Sequence, residues 1–168
     1  MKTIILLRHG KSDWEADYDD DHERPLAKRG RNAAALMGKL LARVNQIPER
    51  VLCSSAVRAC ETVRLAIEAG GWSCSVAVVA EFYGASTDAV LARVATEDDA
   101  LDRLLLAGHE PAWSVLAADL IGGGELRFPT AAMARIDFEV DRWSQVLPAT
   151  GSLTWFVIPR LLNAAGLC

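Results

Sequence analysis

The stretch Ile4-Ile5-Leu6-Leu7-Arg8-His9-Gly10 holds the strongest structural signal in the chain. Four successive apolar residues, two of them β-branched, predict a strand buried on both faces, the pattern of a parallel sheet covered by helices. The run then ends in a guanidinium, an imidazole and a glycine that lets the chain turn. Neither polar group is buried cheaply without a partner. In an open α/β sheet the carboxyl ends of the strands are where ligands bind. Histidine supplies a nucleophile or proton carrier at neutral pH, and arginine a fixed fork for phosphate or carboxylate.

Strands and helices alternate downstream. Ala33, Leu36, Met37, Leu40, Leu41 and Val44 recur at helical spacing and predict a helix over residues 30–44. Residues 51–53 predict a short strand. Ser54-Ser55 offers an N-cap for a helix reaching about residue 69, closed by Gly70-Gly71. A β-branched strand over 75–80 follows, then a helix over 89–96 capped by Ser86-Thr87-Asp88. Residues 101–107 predict a strand ending in Gly108-His109, and Pro111 suits the first turn of a helix to about residue 120. Gly122-Gly123-Gly124 interrupts the chain. Residues 134–140 and 152–158 predict the last two strands, the second stopped by Pro159. This order predicts an α/β fold: a three-layer αβα sandwich with a mostly parallel sheet and an antiparallel strand at one edge.

The 168 residues suit one domain spanning 1–168. A hydrophobic share of 51% argues for a packed core rather than a disordered chain. No apolar run approaches the ~20 residues that cross a bilayer, and Arg8-His9 interrupts the first apolar run too early for a signal peptide. A net charge of −4 argues against nucleic-acid binding, which needs a basic surface. It leaves room for a locally basic pocket. Cys53, Cys60, Cys74 and Cys168 show neither CxxC spacing nor a metal-ligand pattern, and are expected as free thiols in a reducing, cytoplasmic setting. Trp72, Trp143 and Trp155 are expected in the core. The acidic stretch 17–21 reads as a solvated loop, with a flap over the site as the alternative.

Three predicted strands end in reactive groups: Arg8-His9, then Ser54-Ser55 leading to Arg58, then His109. In a parallel sheet these ends share one edge, so two histidines and two arginines converge in one cleft. Arg58 falls in the first turn of a helix, where a cation opposes the dipole and calls for an anion; its plainer use is an ion pair with Glu61. Such a cluster suits a dianionic phosphoryl group. The arginines depress the pKa of a nearby histidine, keeping one imidazole neutral as an attacking nitrogen must be. A second, protonated histidine then stabilises the equatorial oxygens.

Arg8-His9-Gly10, the segment Ser54-Ser55-Ala56-Val57-Arg58-Ala59-Cys60-Glu61-Thr62, and Gly108-His109-Glu110-Pro111 together resemble the histidine phosphatase superfamily, which includes the phosphoglycerate mutases. Lys11-Ser12-Asp13-Trp14, Arg24-Pro25-Leu26 with Arg29-Gly30, and Phe128-Pro129-Thr130 resemble its SixA phosphohistidine phosphatase branch. The resemblance covers nearly the whole chain. It implies that His9 is the nucleophile, forming a phosphohistidine intermediate. It implies that Arg8, Arg58 and His109 bind the phosphoryl group, that Arg24 adds a contact, and that the Glu110 backbone N–H donates to it. No metal or other cofactor is required. Glu81, after the third strand, is the candidate general acid. An imidazole leaving group needs an acid far less than an alkoxide does, so Glu81 alone does not separate the substrates.

The resemblance implies a partner that is either a protein carrying phosphohistidine or a small phosphorylated metabolite such as a sugar phosphate. An inactive phosphate-binding module is a further alternative. A cysteine phosphatase is disfavoured, because Cys53 and Arg58 are one residue too close for Cys-x5-Arg. The chain lacks the insertions with which a mutase encloses its substrate.

Overall fold

The structure, a computed structural model, describes residues 1–147 and 149–166. Six strands and five helices alternate: β1 (Lys2–Arg8), α1 (Lys28–Arg43), β2 (Arg50–Ser54), α2 (Val57–Gly70), β3 (Ser75–Val79), α3 (Thr87–Val94), β4 (Arg103–Gly108), α4 (Ala112–Leu120), β5 (Met133–Phe138), β6 (Ser152–Val157) and α5 (Pro159–Ala164). The sheet order is β3-β2-β4-β1-β5-β6. β1 to β4 pair in parallel, whereas β5 runs antiparallel to both β1 and β6. The final pair is therefore antiparallel at an edge, as expected. The reversed strand is β5, one place in, and β6 is outermost.

β1 explains the uninterrupted apolar run. Ile4, Ile5, Leu6 and Leu7 are all fully buried. Ile4 and Leu6 join a cluster with Val90 and Val94 of α3 and Trp113 and Leu116 of α4. Ile5 and Leu7 join the opposite cluster, with Met37 and Leu41 of α1 and Ala59, Val63 and Ala66 of α2. Alternate side chains thus serve two helical layers, which makes the strand apolar at every position. Each such side chain contributes about 1.5–3 kcal/mol when buried.

The expected elements are present, with shifts at their ends. α1 begins at Lys28, two residues early. Pro159 ends β6 as expected but also opens α5, which sequence reading missed; its fixed φ suits a first helical turn. Trp72 and Trp143 are buried, and Trp155 is half-buried with its indole N–H donating to Gln46 Oε1 at 2.9 Å. Cys53, Cys60 and Cys74 are free thiols; Cys168 lies outside the described residues. No described helix is long and apolar enough to cross a membrane.

One contact ties the helical layer to the loop after β1. A Cβ at Gly30 would lie 2.1 Å from the Lys11 carbonyl oxygen, and one at Gly10 would lie 2.7 Å from the Gly30 carbonyl oxygen. Only glycine at both positions lets the first turn of α1 press on the backbone that follows His9.

Candidate active site

β2, β4 and β1 are neighbours, so their carboxyl ends lie side by side. Arg8 pairs with Gly108 in the β1–β4 register, and Cys53 with Ala107 in the β2–β4 register. His9 and His109 follow those strand ends, and their ring centroids are 5.0 Å apart. The backbone of His9 is fixed on both sides: its N–H donates to Gly108 O, and its carbonyl accepts from Ala131 N, each at 3.0 Å. His9 is 7% exposed. Its Nδ1 lies 2.7 Å from Gly10 O. A carbonyl only accepts, so Nδ1 carries the proton and Nε2 keeps its lone pair.

The other groups close around this pair. Arg8 Nη1 donates to Phe128 O at 2.6 Å. His109 Nε2 meets Ser54 Oγ at 2.7 Å. Thr62 on α2 braces the loop, accepting from Gly10 N at 2.9 Å and donating to Arg58 O at 2.6 Å. Arg58 is 5% exposed, and its two terminal nitrogens donate to Asp21, at 2.5 Å to the backbone carbonyl and 2.9 Å to Oδ2. Asp21 also receives Arg24 through Nε at 3.1 Å and Nη2 at 2.7 Å, and the Tyr83 hydroxyl at 3.0 Å. Arg24 further donates to Ser12 Oγ at 2.6 Å and lies over the Trp14 ring. Among the described residues, Arg8 Nε, Arg58 Nε and His109 Nδ1 are buried here without a hydrogen-bond partner, as are Arg50 Nε and Arg103 Nε at the opposite ends of β2 and β4. Unpartnered buried donors are costly and collect at functional sites.

Comparison with known proteins bears on this cluster. Residues 4–82 match the histidine phosphatase superfamily (branch 1). ML1117 of Mycobacterium leprae, an uncharacterized protein, is 31% identical over 166 residues, covering 92% of this chain and 100% of its own length. The chain belongs to the histidine phosphatase superfamily. Within it, the chain is of the SixA type. The structure of the protein histidine phosphatase SixA complexed with tungstate superposes with a TM-score of 0.83 at 25% identity, covering 95% of this chain and 99% of that one. A protein from Nakamurella multipartitia assigned as SixA gives 0.82 at 26% identity, covering 94% and 96%.

The electrostatics of the site favour neutral imidazoles at His9 and His109. Burial pushes His9 down to about 3; the bond to Gly10 O offsets part of this, and His109, Arg58 and Arg8 press further downward. Burial, then Arg58, brings His109 down to about 4, with Asp21 pulling the other way. Asp21 is raised by burial, but the Tyr83 hydroxyl, Arg58 and Arg24 outweigh this and hold it below the usual carboxylate range.

These shifts give folding stability a defined acid limb. An unfolded histidine takes up its proton near pH ~6.5, whereas the folded ones resist to about 4 and about 3. Below ~6.5 the unfolded state therefore binds more protons, and stability falls as pH drops toward those values. A bound oxyanion favours the protonated imidazoles and offsets part of this loss. Urea midpoints at pH 7 and 4.5, with and without tungstate, check this: the loss in acid is expected to be smaller with tungstate present.

The predicted site residues divide into two groups. His9, His109, Arg8, Arg58 and Arg24 sit together, as does the Glu110 backbone beside His109. The Glu110 carboxylate accepts from Ser114 Oγ at 2.6 Å and Phe128 N at 3.1 Å. Glu81 is not brought in. The 3-10 turn Ala80–Phe82 buries Phe82 in the core, leaves Glu81 exposed without a hydrogen bond or ion pair, and passes the cleft position to Tyr83. Nor does Arg58 pair with Glu61, whose carboxylate accepts from Leu26 N at 3.1 Å. Ser54 is no N-cap: it ends β2, the cap position is Ala56, and the Ser54 hydroxyl holds His109. Ser54 and Tyr83 are site residues that sequence reading missed, and Asp21 belongs to the acidic stretch whose alternative reading was a flap over the site. Asp21 carried one usable signal, its place three residues before Arg24.

Proposed function

We propose that the protein is a phosphatase that hydrolyses phosphohistidine on a protein through a phosphorylated His9. The observation that carries this reading is the state of His9: buried, neutral, with Nδ1–H held by Gly10 O and Nε2 free among Arg8, Arg58 and His109. Nε2 attacks phosphorus in line. The P–Nε2 bond forms as the P–N bond to the carrier imidazole breaks, and that imidazole leaves with its electron pair and takes a proton from protonated His109. Water then attacks the phosphorus and gives its proton to His109, the P–Nε2 bond breaks with its electron pair returning to His9, and phosphate leaves. Arg8 and Arg58 hold the non-bridging oxygens, and a protonated His109 completes the cradle. Glu81 takes no part in either step, and a carrier imidazole can leave without a strong acid. Likeness to SixA, a protein histidine phosphatase whose structure is a complex with tungstate, supports a site that takes an oxyanion. Free thiols at Cys53, Cys60 and Cys74 suit a reducing cytoplasmic setting.

A second reading is hydrolysis of a small phosphorylated metabolite. It is favoured by a cavity of about 700 Å³ beside Arg58 and His109, lined in part by Phe82, Tyr83, Pro111 and Val115. That size suits a small organic group. Initial rates on a protein phosphorylated on histidine and on a panel of sugar phosphates, at equal concentration, separate the two. The expected result is a kcat/KM at least tenfold higher on the phosphohistidine protein. A preference for any sugar phosphate overturns the first reading.

A further inference from the structure

A second cavity, of about 500 Å³, lies beyond the loop that follows His9 and is lined by Lys11, Arg29, Ala33, Pro129, Thr130 and Arg160 among others, with no aspartate or glutamate. None of these three cations has an ion-pair partner among the described residues. On a chain of net charge −4, three unpaired cations around one carboxylate-free hollow depart from the general surface. α1 adds to the demand for negative charge. Its cap residue, Ala27, supplies no side-chain hydrogen bond, and its first turn has no acidic residue but begins Lys28-Arg29. Of the acidic side chains at the phosphoryl site, Asp21 is bound to Arg58 and Tyr83 and Glu110 lines the cavities beside Arg8 and His109; neither lines this hollow.

The hollow adjoins the phosphoryl site. Lys11 is two residues beyond His9. Pro129 lines both this cavity and the neighbouring one that holds Arg8 and Glu110. The same loop gives Phe128 O to Arg8 and Ala131 N to His9 O.

We propose that this cavity is an anion subsite that takes carboxylate side chains flanking the phosphohistidine of a protein substrate. The inference rests on the phosphohistidine reading above and adds the chemistry of the partner: an acidic surface beside the phosphorylated side chain. Attraction of this kind acts mainly on encounter and ground-state binding and weakens with salt.

Two synthetic phosphohistidine peptides test it, identical except that the histidine is flanked by glutamates in one and by glutamines in the other. Phosphoramidate, which has no flank, is the reference substrate. At low ionic strength the glutamate peptide is expected to show roughly tenfold higher kcat/KM, expressed in KM, shrinking at 0.5 M salt. The double variant Arg29→Gln/Arg160→Gln, both exposed positions, is expected to bring the two peptides together and leave phosphoramidate hydrolysis within twofold. Equal rates on both peptides in the unaltered enzyme, or a preference that survives in the double variant, overturn the subsite. No phosphate release from either peptide overturns the phosphohistidine reading itself, and the subsite with it.

Discussion

His9→Ala is expected to lower turnover by roughly 10⁴-fold or more and to leave no phosphorylated protein to trap. Loss of a covalent nucleophile has effects of this size, because the remaining donors stabilise charge but form no bond. In the unaltered enzyme, brief reaction with a labelled phosphohistidine substrate and quenching in alkali should leave label on the protein. That label should survive base and be lost in acid, as an N–P bond requires. The variant should retain its fold. Alanine keeps the backbone bonds from His9 N to Gly108 O and from Ala131 N to His9 O. The lost side-chain bond to Gly10 O is a single contact worth about 1 kcal/mol. An unchanged circular dichroism spectrum together with absent label supports the assignment. Label on His9→Ala at the level of the unaltered enzyme removes His9 as the nucleophile.

What could be read from the sequence follows from which signals are local. Residues 4–10 announce a doubly covered strand and its polar end because burial on two faces forbids polar side chains at every intervening position. His109 and Arg58 could be placed beside His9 because a parallel sheet brings successive strand ends to one edge. Ser54 could not, since a serine before a helix looks the same whether it caps that helix or faces a histidine on the next strand. Its 2.7 Å contact with His109 depends on β2 and β4 being neighbours. Glu81 and Tyr83 were exchanged for a similar reason: one short 3-10 turn decides which of two residues, two apart, reaches the cleft. Asp21 sits in an acidic stretch whose composition points to solvent, and only the folded chain carries it to Arg58.

Asp21 is the position at which a single change should move stability and affinity in opposite directions. Its carboxylate, 48% exposed, is bonded to the side chains of Arg24 and Arg58, which are 7% and 6% exposed. It is therefore the anion that satisfies two desolvated guanidiniums. A phosphoryl group bound by Arg58 must compete with it and is repelled by it. Asp21→Asn keeps the shape and one acceptor but removes the charge. An exposed ion pair is worth about 0.2–1 kcal/mol, and breaking a fully buried one costs about 3–5 kcal/mol. The half-exposed carboxylate places this change between them, at about 1–2 kcal/mol. For a chain of this length that is a fall in Tm of roughly 3–6 °C. Affinity for tungstate or phosphate should meanwhile rise roughly tenfold, a gain of ~1.4 kcal/mol, so that saturating tungstate raises Tm more in the variant than in the unaltered protein. The same change should make product phosphate a roughly tenfold stronger inhibitor, because a site that holds its anion more tightly also releases it more slowly. Weaker binding of tungstate by Asp21→Asn would assign Asp21 the opposite role, that of orienting Arg58 for the substrate. Thermal melts across a tungstate titration decide between the two, since competition and orientation predict shifts of opposite sign from the same substitution.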